Sequence, residues 1–71
     1  MGRNLWFNNP DGTKSRLYQG KIRTGEIVRQ EKDNKTEFSV GYVNGDGELI
    51  QSCRLHDDLE SAENELRNLI D

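Results

Sequence analysis

Cys53 and His56 are the residues in this chain best able to do nucleophilic or acid–base chemistry near neutral pH. They stand three positions apart, at the end of a strand-like segment and just ahead of a helix-like one. A thiol at a helix N-terminus can be acidified, and a Cys–His pair can supply a nucleophile and its base. No motif places a third group beside them, and a single cysteine ordinarily packs as a small apolar residue. Asp57 and Asp58 follow at once and could be read as metal ligands, but two acids at the start of a helix cap it more simply. One cysteine and one histidine make no internal disulfide and fall short of a structural zinc set. The glycine-rich stretch Asn44-Gly45-Asp46-Gly47 lacks the Lys and Ser or Thr of a phosphate loop and reads as a turn. The expectation is therefore a non-enzyme without metal or cofactor.

Charge gives a second kind of candidate. Residues 1–36 hold eight Lys or Arg against four acids, a net of +4, whereas residues 37–71 hold two Arg against nine acids, a net of −7. Arg16, Lys21, Arg23 and Arg29 fall on one β-type stretch with Tyr18, and Trp6 and Phe7 lie nearby in sequence. A basic sheet face with aromatics can track phosphates and stack bases. In outline, a small sheet backed by a helix is similar to the arm-binding domains of tyrosine recombinases, which lay their sheet on DNA. The net charge of −3 and pI near 5.1 oppose that reading. The acids of the second half, Glu60 and Glu63 among them, can instead face a basic partner, in the manner of small acidic phage and mobile-element proteins that block nucleic-acid-handling machines. The plain alternative is that these charges only solubilise strands and a helix face.

The elements that must position these residues follow from periodicity. Leu59, Ala62, Leu66, Leu69 and Ile70 recur at i, i+3, i+7, i+10 and i+11, one stripe of a helix over 57–71. Asp57, with Glu60 three residues on, is expected to cap it, and Glu63 is expected to pair with Arg67. Strands lie within 4–55. They comprise a short one at Asn4–Asn8, a β-type stretch Ser15–Gln30 interrupted at Gly20 and Gly25, the alternating Thr36–Val43, and the return Glu48–Leu55. Asn9-Pro10-Asp11-Gly12, Asp33-Asn34 and Asn44–Gly47 supply the turns. This is a single α+β domain, a three- to four-stranded antiparallel sheet with one C-terminal helix packed on one face. No run of apolar residues approaches membrane length and no signal-peptide pattern opens the chain, so the expected compartment is the cytoplasm.

Residues 47–69 also resemble the small β-β-β-α domains of the YegP-like family. The likeness is carried by Gly47-Glu48-Leu49-Ile50, Ser52, Ser61-Ala62-Glu63-Asn64, Leu66 and Leu69. It covers about a third of the chain and implies a strand packed against a helix whose alanine sits close to the sheet. It implies no activity.

The functional expectation comes from adjacent apolar pairs on the strands: Trp6-Phe7, Leu17-Tyr18, Ile27-Val28 and Leu49-Ile50. Neighbours on a strand point to opposite faces, so both faces of the sheet carry apolar side chains while one short helix covers one. An uncovered apolar face usually marks a contact site. The expectation is a small protein-binding module, an inhibitor or adaptor, with Trp6, Phe7, Tyr18 and Ile27 on its binding face and a homodimer as one form. Nucleic-acid binding through the basic sheet residues is the alternative. A strongly curled sheet that buries both members of each pair would leave no such face.

Overall fold

Every connection in the sheet is a hairpin. The computed structural model describes residues 6–71, the side chain of Cys53 excepted. Its elements are β1 (Phe7–Asn8), β2 (Lys14–Gln19), β3 (Thr24–Lys32), β4 (Lys35–Val43), β5 (Leu49–His56) and α1 (Leu59–Ile70). The five strands lie in chain order and all pair antiparallel. The α+β architecture is as expected, with one strand more, because the stretch 15–30 divides in two. Part of the expected Asn4–Asn8 strand lies outside the described residues, and what is described of it pairs with β2 over two residues.

The division of 15–30 falls at Gly20–Arg23, the first of the two glycine interruptions. The Gly20 N–H donates to the Arg23 carbonyl (2.9 Å), and the N–H groups of Ile22 and Arg23 both donate to the carbonyl of Ile70 at the end of α1 (2.8 and 3.2 Å). The turn is thus held by the far end of the chain, a tie that local sequence cannot reveal. The β3–β4 turn is local in origin. Asp33 and Asn34 both have positive φ (53° and 63°), the two-residue geometry whose twist matches a hairpin. In the β4–β5 loop, Asn44 Oδ1 accepts from the N–H groups of Asp46 and Glu48 at 2.9 Å each. Gly47 takes the left-handed position at φ 82°.

The helix begins one residue later than expected. Asp58, not Asp57, is the cap: its side chain accepts from the Ser61 N–H at 3.2 Å, and hydrogen bonding by the Ser61 side chain and then its N–H lowers the carboxyl pKa. Asp57 instead lies 3.5 Å from Lys35 Nζ, in solvent. The expected Glu63–Arg67 pair is also replaced. Arg67 reaches Asp71 at 3.7 Å, and Glu63 accepts the Tyr18 hydroxyl at 2.7 Å.

The apolar stripe behaves as the spacing requires. Ala62, Leu66 and Ile70 are fully buried against Tyr18, Ile27, Phe38 and Val40, with Leu59, Leu69, Trp6 and Tyr42 packed around them. The seat is tight because two glycines lie beneath it. A Cβ on Gly25 would stand 2.5 Å from Leu66 Cδ1, and one on Gly20 would stand 2.3 Å from the Ile70 carbonyl oxygen.

Candidate functional site

The pairing register assigns each strand residue to a face. Cross-strand partners share a side of the sheet, so the helix side carries the row Tyr18–Gly25–Tyr42–Ile50 and the row Lys14–Arg29–Phe38–His56. The opposite side carries Phe7–Ser15–Val28–Ser39–Leu55, then Leu17–Glu26–Gly41–Gln51, then the pairs Gln19–Thr24 and Val43–Leu49. Among the described residues, no element packs over this second side.

The second side is correspondingly apolar and open. Phe7, Leu17 and Leu55 are each more than half exposed (55, 54 and 54%), and Leu49 and Val43 are exposed as well. The large side chains sit toward the two edges, Phe7 and Leu17 along β1 and β2, Leu49 and Leu55 along β5. The middle is small or polar: Ser15, Thr24, Glu26, Val28, Ser39 and Gly41. Leu49 and Gln51 lean over Gly41, where a Cβ would come within 3.4 Å of both side chains. Ser15 is buried there because Asn9 Nδ2 donates to its hydroxyl at 2.8 Å.

The expectation of apolar side chains on both faces therefore holds, but three of the four residues assigned to the binding face do not belong on it. Tyr18 and Ile27 are buried under α1 (7 and 0% exposed). Their phase is set by Phe38 and Val40, with which they share the helix side. Trp6 also lies on the helix side, packed against Phe38 with ring centroids 6.3 Å apart. Phe7 alone of the four lies on the open side. Leu17 and Val28, the other members of their pairs, take the place of Tyr18 and Ile27, and Val43, Leu49 and Leu55 complete the surface. Sequence could have found them. The two-residue turn at Asp33-Asn34 pairs Lys32 with Lys35 and so sets Ile27 opposite Val40, which sends Val28 to the other side.

The other candidates are dispersed or occupied. Glu60 is exposed on α1, whereas Glu63 is half-buried and engaged by Tyr18, whose own hydroxyl is pushed up to about 12, chiefly by burial and then by that carboxylate. The four basic residues form no single patch. Arg16 and Arg29 lie on the helix side near the start of β2, while Lys21 and Arg23 lie in the turn at its other end. Arg23 is committed there, donating to the Leu69 carbonyl at 2.7 Å with its guanidinium 4.9 Å from the centre of the Tyr42 ring. His56 Nε2 lies 2.6 Å from Glu65 Oε1, and Ser52 Oγ donates to the other carboxylate oxygen at 3.0 Å. Both bonds, that of His56 foremost, hold the Glu65 carboxyl below its ordinary pKa. The carboxylate stands between the hydroxyl and the imidazole, so it ties β5 to α1 and occupies the Nε2 side of the imidazole. The Cys53 side chain, the other half of the expected pair, lies outside the described residues. Among the described residues no three His, Cys, Asp or Glu side chains converge as a metal site, and no helix is long and apolar enough to cross a membrane.

No known family, curated protein or solved structure matches this chain.

Proposed function

We propose that the chain is a small non-catalytic protein-binding module, of inhibitor or adaptor type, that docks a protein on the uncovered side of its sheet. The observation that supports this is the exposure of Phe7, Leu17, Val43, Leu49 and Leu55 on one face of a sheet whose other face packs against α1. Two exposed apolar clusters at the edges of one open face fit a docking surface better than a protein that acts alone.

A second copy of the chain is the first occupant to test. Five strands at about 4.8 Å spacing and up to roughly 30 Å long give a flat footprint on the order of 500 Å² per copy. Two copies would bury about 1,000 Å², the lower bound for a specific interface. Such a dimer would dissociate in the micromolar range or weaker, and it would tighten with salt, because Glu26 stands mid-face with only Leu17, Gly41 and Gln51 in its row. Light scattering across a concentration series, with Leu17→Lys and Leu55→Lys as disrupting variants, tests this. A wild-type dimer dissolved by either variant supports self-association. A monomer that binds an apolar dye, and loses that binding in the variants, supports a face kept for a different protein. A monomer that binds no dye removes the reading.

A further inference from the structure

The helix side of the sheet has a corner that α1 does not reach. The helix leaves β5 at Asp58 and ends over Gly20, so among the described residues the start of β2 and the end of β3 are covered only by Trp6. Three cations meet there. Lys14 and Arg29 are direct cross-strand partners, and Arg16 is the next residue on the same face of β2. Like charges set opposite one another cost a strand pair stability unless something compensates them.

Trp6 belongs to the β1 end of the sheet yet its ring meets Phe38 on β4. Those strands are three spacings apart, about 14 Å. The indole therefore lies across β2 and β3, beside Arg16. The Arg16 guanidinium sits 5.5 Å from the centre of the Trp6 ring and 5.5 Å from that of Tyr18. The Nε atoms of both Arg16 and Arg29 are buried with no hydrogen-bond partner, a condition that folded proteins rarely leave uncompensated. The one ion pair nearby joins Arg29 to the exposed Glu31 at 3.5 Å. Beside it opens a shallow cleft of about 240 Å³ lined by Gly12, Lys14, Arg29 and Glu31.

We propose that this corner binds one phosphate group, held in the cleft by Lys14 and Arg29 with Arg16 and Trp6 flanking it. Three cations less Glu31 leave a charge of +2, which a phosphate monoester, at about −1.5 to −2 near neutral pH, matches. A guanidinium stacked on an aromatic ring presents its N–H edge to two oxygens at once. The ligand is a compact phosphate, not a polynucleotide, because Lys21 and Arg23 lie at the far end of the strands and Arg23 is already engaged. The site is on the opposite side of the sheet from the docking face and stands independently of it.

Trp6 is the sole tryptophan, so its fluorescence reports the corner directly. Inorganic phosphate titrated at constant ionic strength should give a saturable change, sulfate a similar one, and acetate one at least tenfold weaker. Lys14→Gln and Arg29→Gln should each weaken phosphate binding at least tenfold, and Lys21→Gln should leave it unchanged. Lys14 is exposed, so its variant reads the site even if Arg29→Gln fails to fold. A short single-stranded oligonucleotide should bind only when it carries a terminal phosphate. A phosphate response equal to that of chloride overturns the proposal. So does equal weakening by Lys21→Gln, or tight salt-sensitive binding of an oligonucleotide without a terminal phosphate.

Discussion

Replacing Gly25 by alanine should cost the protein a measurable part of its stability, although the change adds one methyl group. The added Cβ would stand 2.5 Å from Leu66 Cδ1 and 3.0 Å from both Leu66 Cδ2 and Ile70 Cγ2. Ordinary carbon contacts lie at about 3.5–4.0 Å, so the neighbours must yield by about 1 Å. Leu66 and Ile70 are fully buried and can yield only by leaving their rotamers or lifting the helix. Overpacking of this kind costs roughly 1–3 kcal/mol. Alanine recovers about 0.4–1 kcal/mol by restricting the unfolded chain. Taking the middle of each range, the net is about 1.3 kcal/mol, a fall in Tm of roughly 5–10 °C for a domain of this size. Gly45→Ala is the control, since its Cβ would meet nothing within 4 Å. Urea and thermal melts of the two variants decide the matter. If Gly25→Ala melts at or above the wild-type temperature, the helix does not sit on β3 as described, and the assignment of the covered face fails with it.

Two further predictions concern titration. The Glu65 carboxyl is held below its ordinary value of 4.5 by His56 and Ser52. The unfolded chain therefore binds more protons than the folded one as acid is added, and this contribution, present above about pH 4.5, is lost as pH falls through the folded value. Urea midpoints between pH 3 and 7 should show that loss, and Glu65→Gln should flatten it; an unchanged acid limb would refute the tie between β5 and α1. The Tyr18 hydroxyl, raised from 10.0 to about 12, contributes stability below pH 10 that is lost as pH rises toward 12. Ultraviolet titration should show one tyrosine ionising late in the native protein and normally in urea. Tyr18→Phe should remove the late step and cost about 0.5–1.5 kcal/mol. A native titration without a late step would contradict the bond to Glu63.

What could be read from the sequence was whatever local chemistry determines. The stripe of α1 and the alternation of Phe38, Val40 and Tyr42 rest on periodicity, and the turn at Asp33-Asn34 on residues that tolerate positive φ. The features missed depend on distant partners. The break at Gly20–Arg23 is held by the Ile70 carbonyl, and Glu63 turns to Tyr18 because the fold brings them together across 45 positions. The facing of Trp6-Phe7 and Leu17-Tyr18 was the consequential error. Each pair does split between the two faces, but which member goes inward is settled by cross-strand register. That register had to be carried outward from the β3–β4 turn. The corner of Lys14, Arg16 and Arg29 was hidden for the same reason: Lys14 and Arg29 are fifteen positions apart and become partners only through the β2–β3 pairing.

The central claim is that the open side of the sheet is where this protein meets another. Amide chemical shifts recorded as the protein is concentrated from micromolar to millimolar test it residue by residue. Shifts confined to the amides around Leu17, Val28, Ser39, Val43 and Leu55, and absent in Leu55→Lys, are the predicted result. Shifts confined to the exposed face of α1 would place the contact on the wrong side of the molecule. Invariant shifts, with no apolar dye bound, would leave no docking face at all.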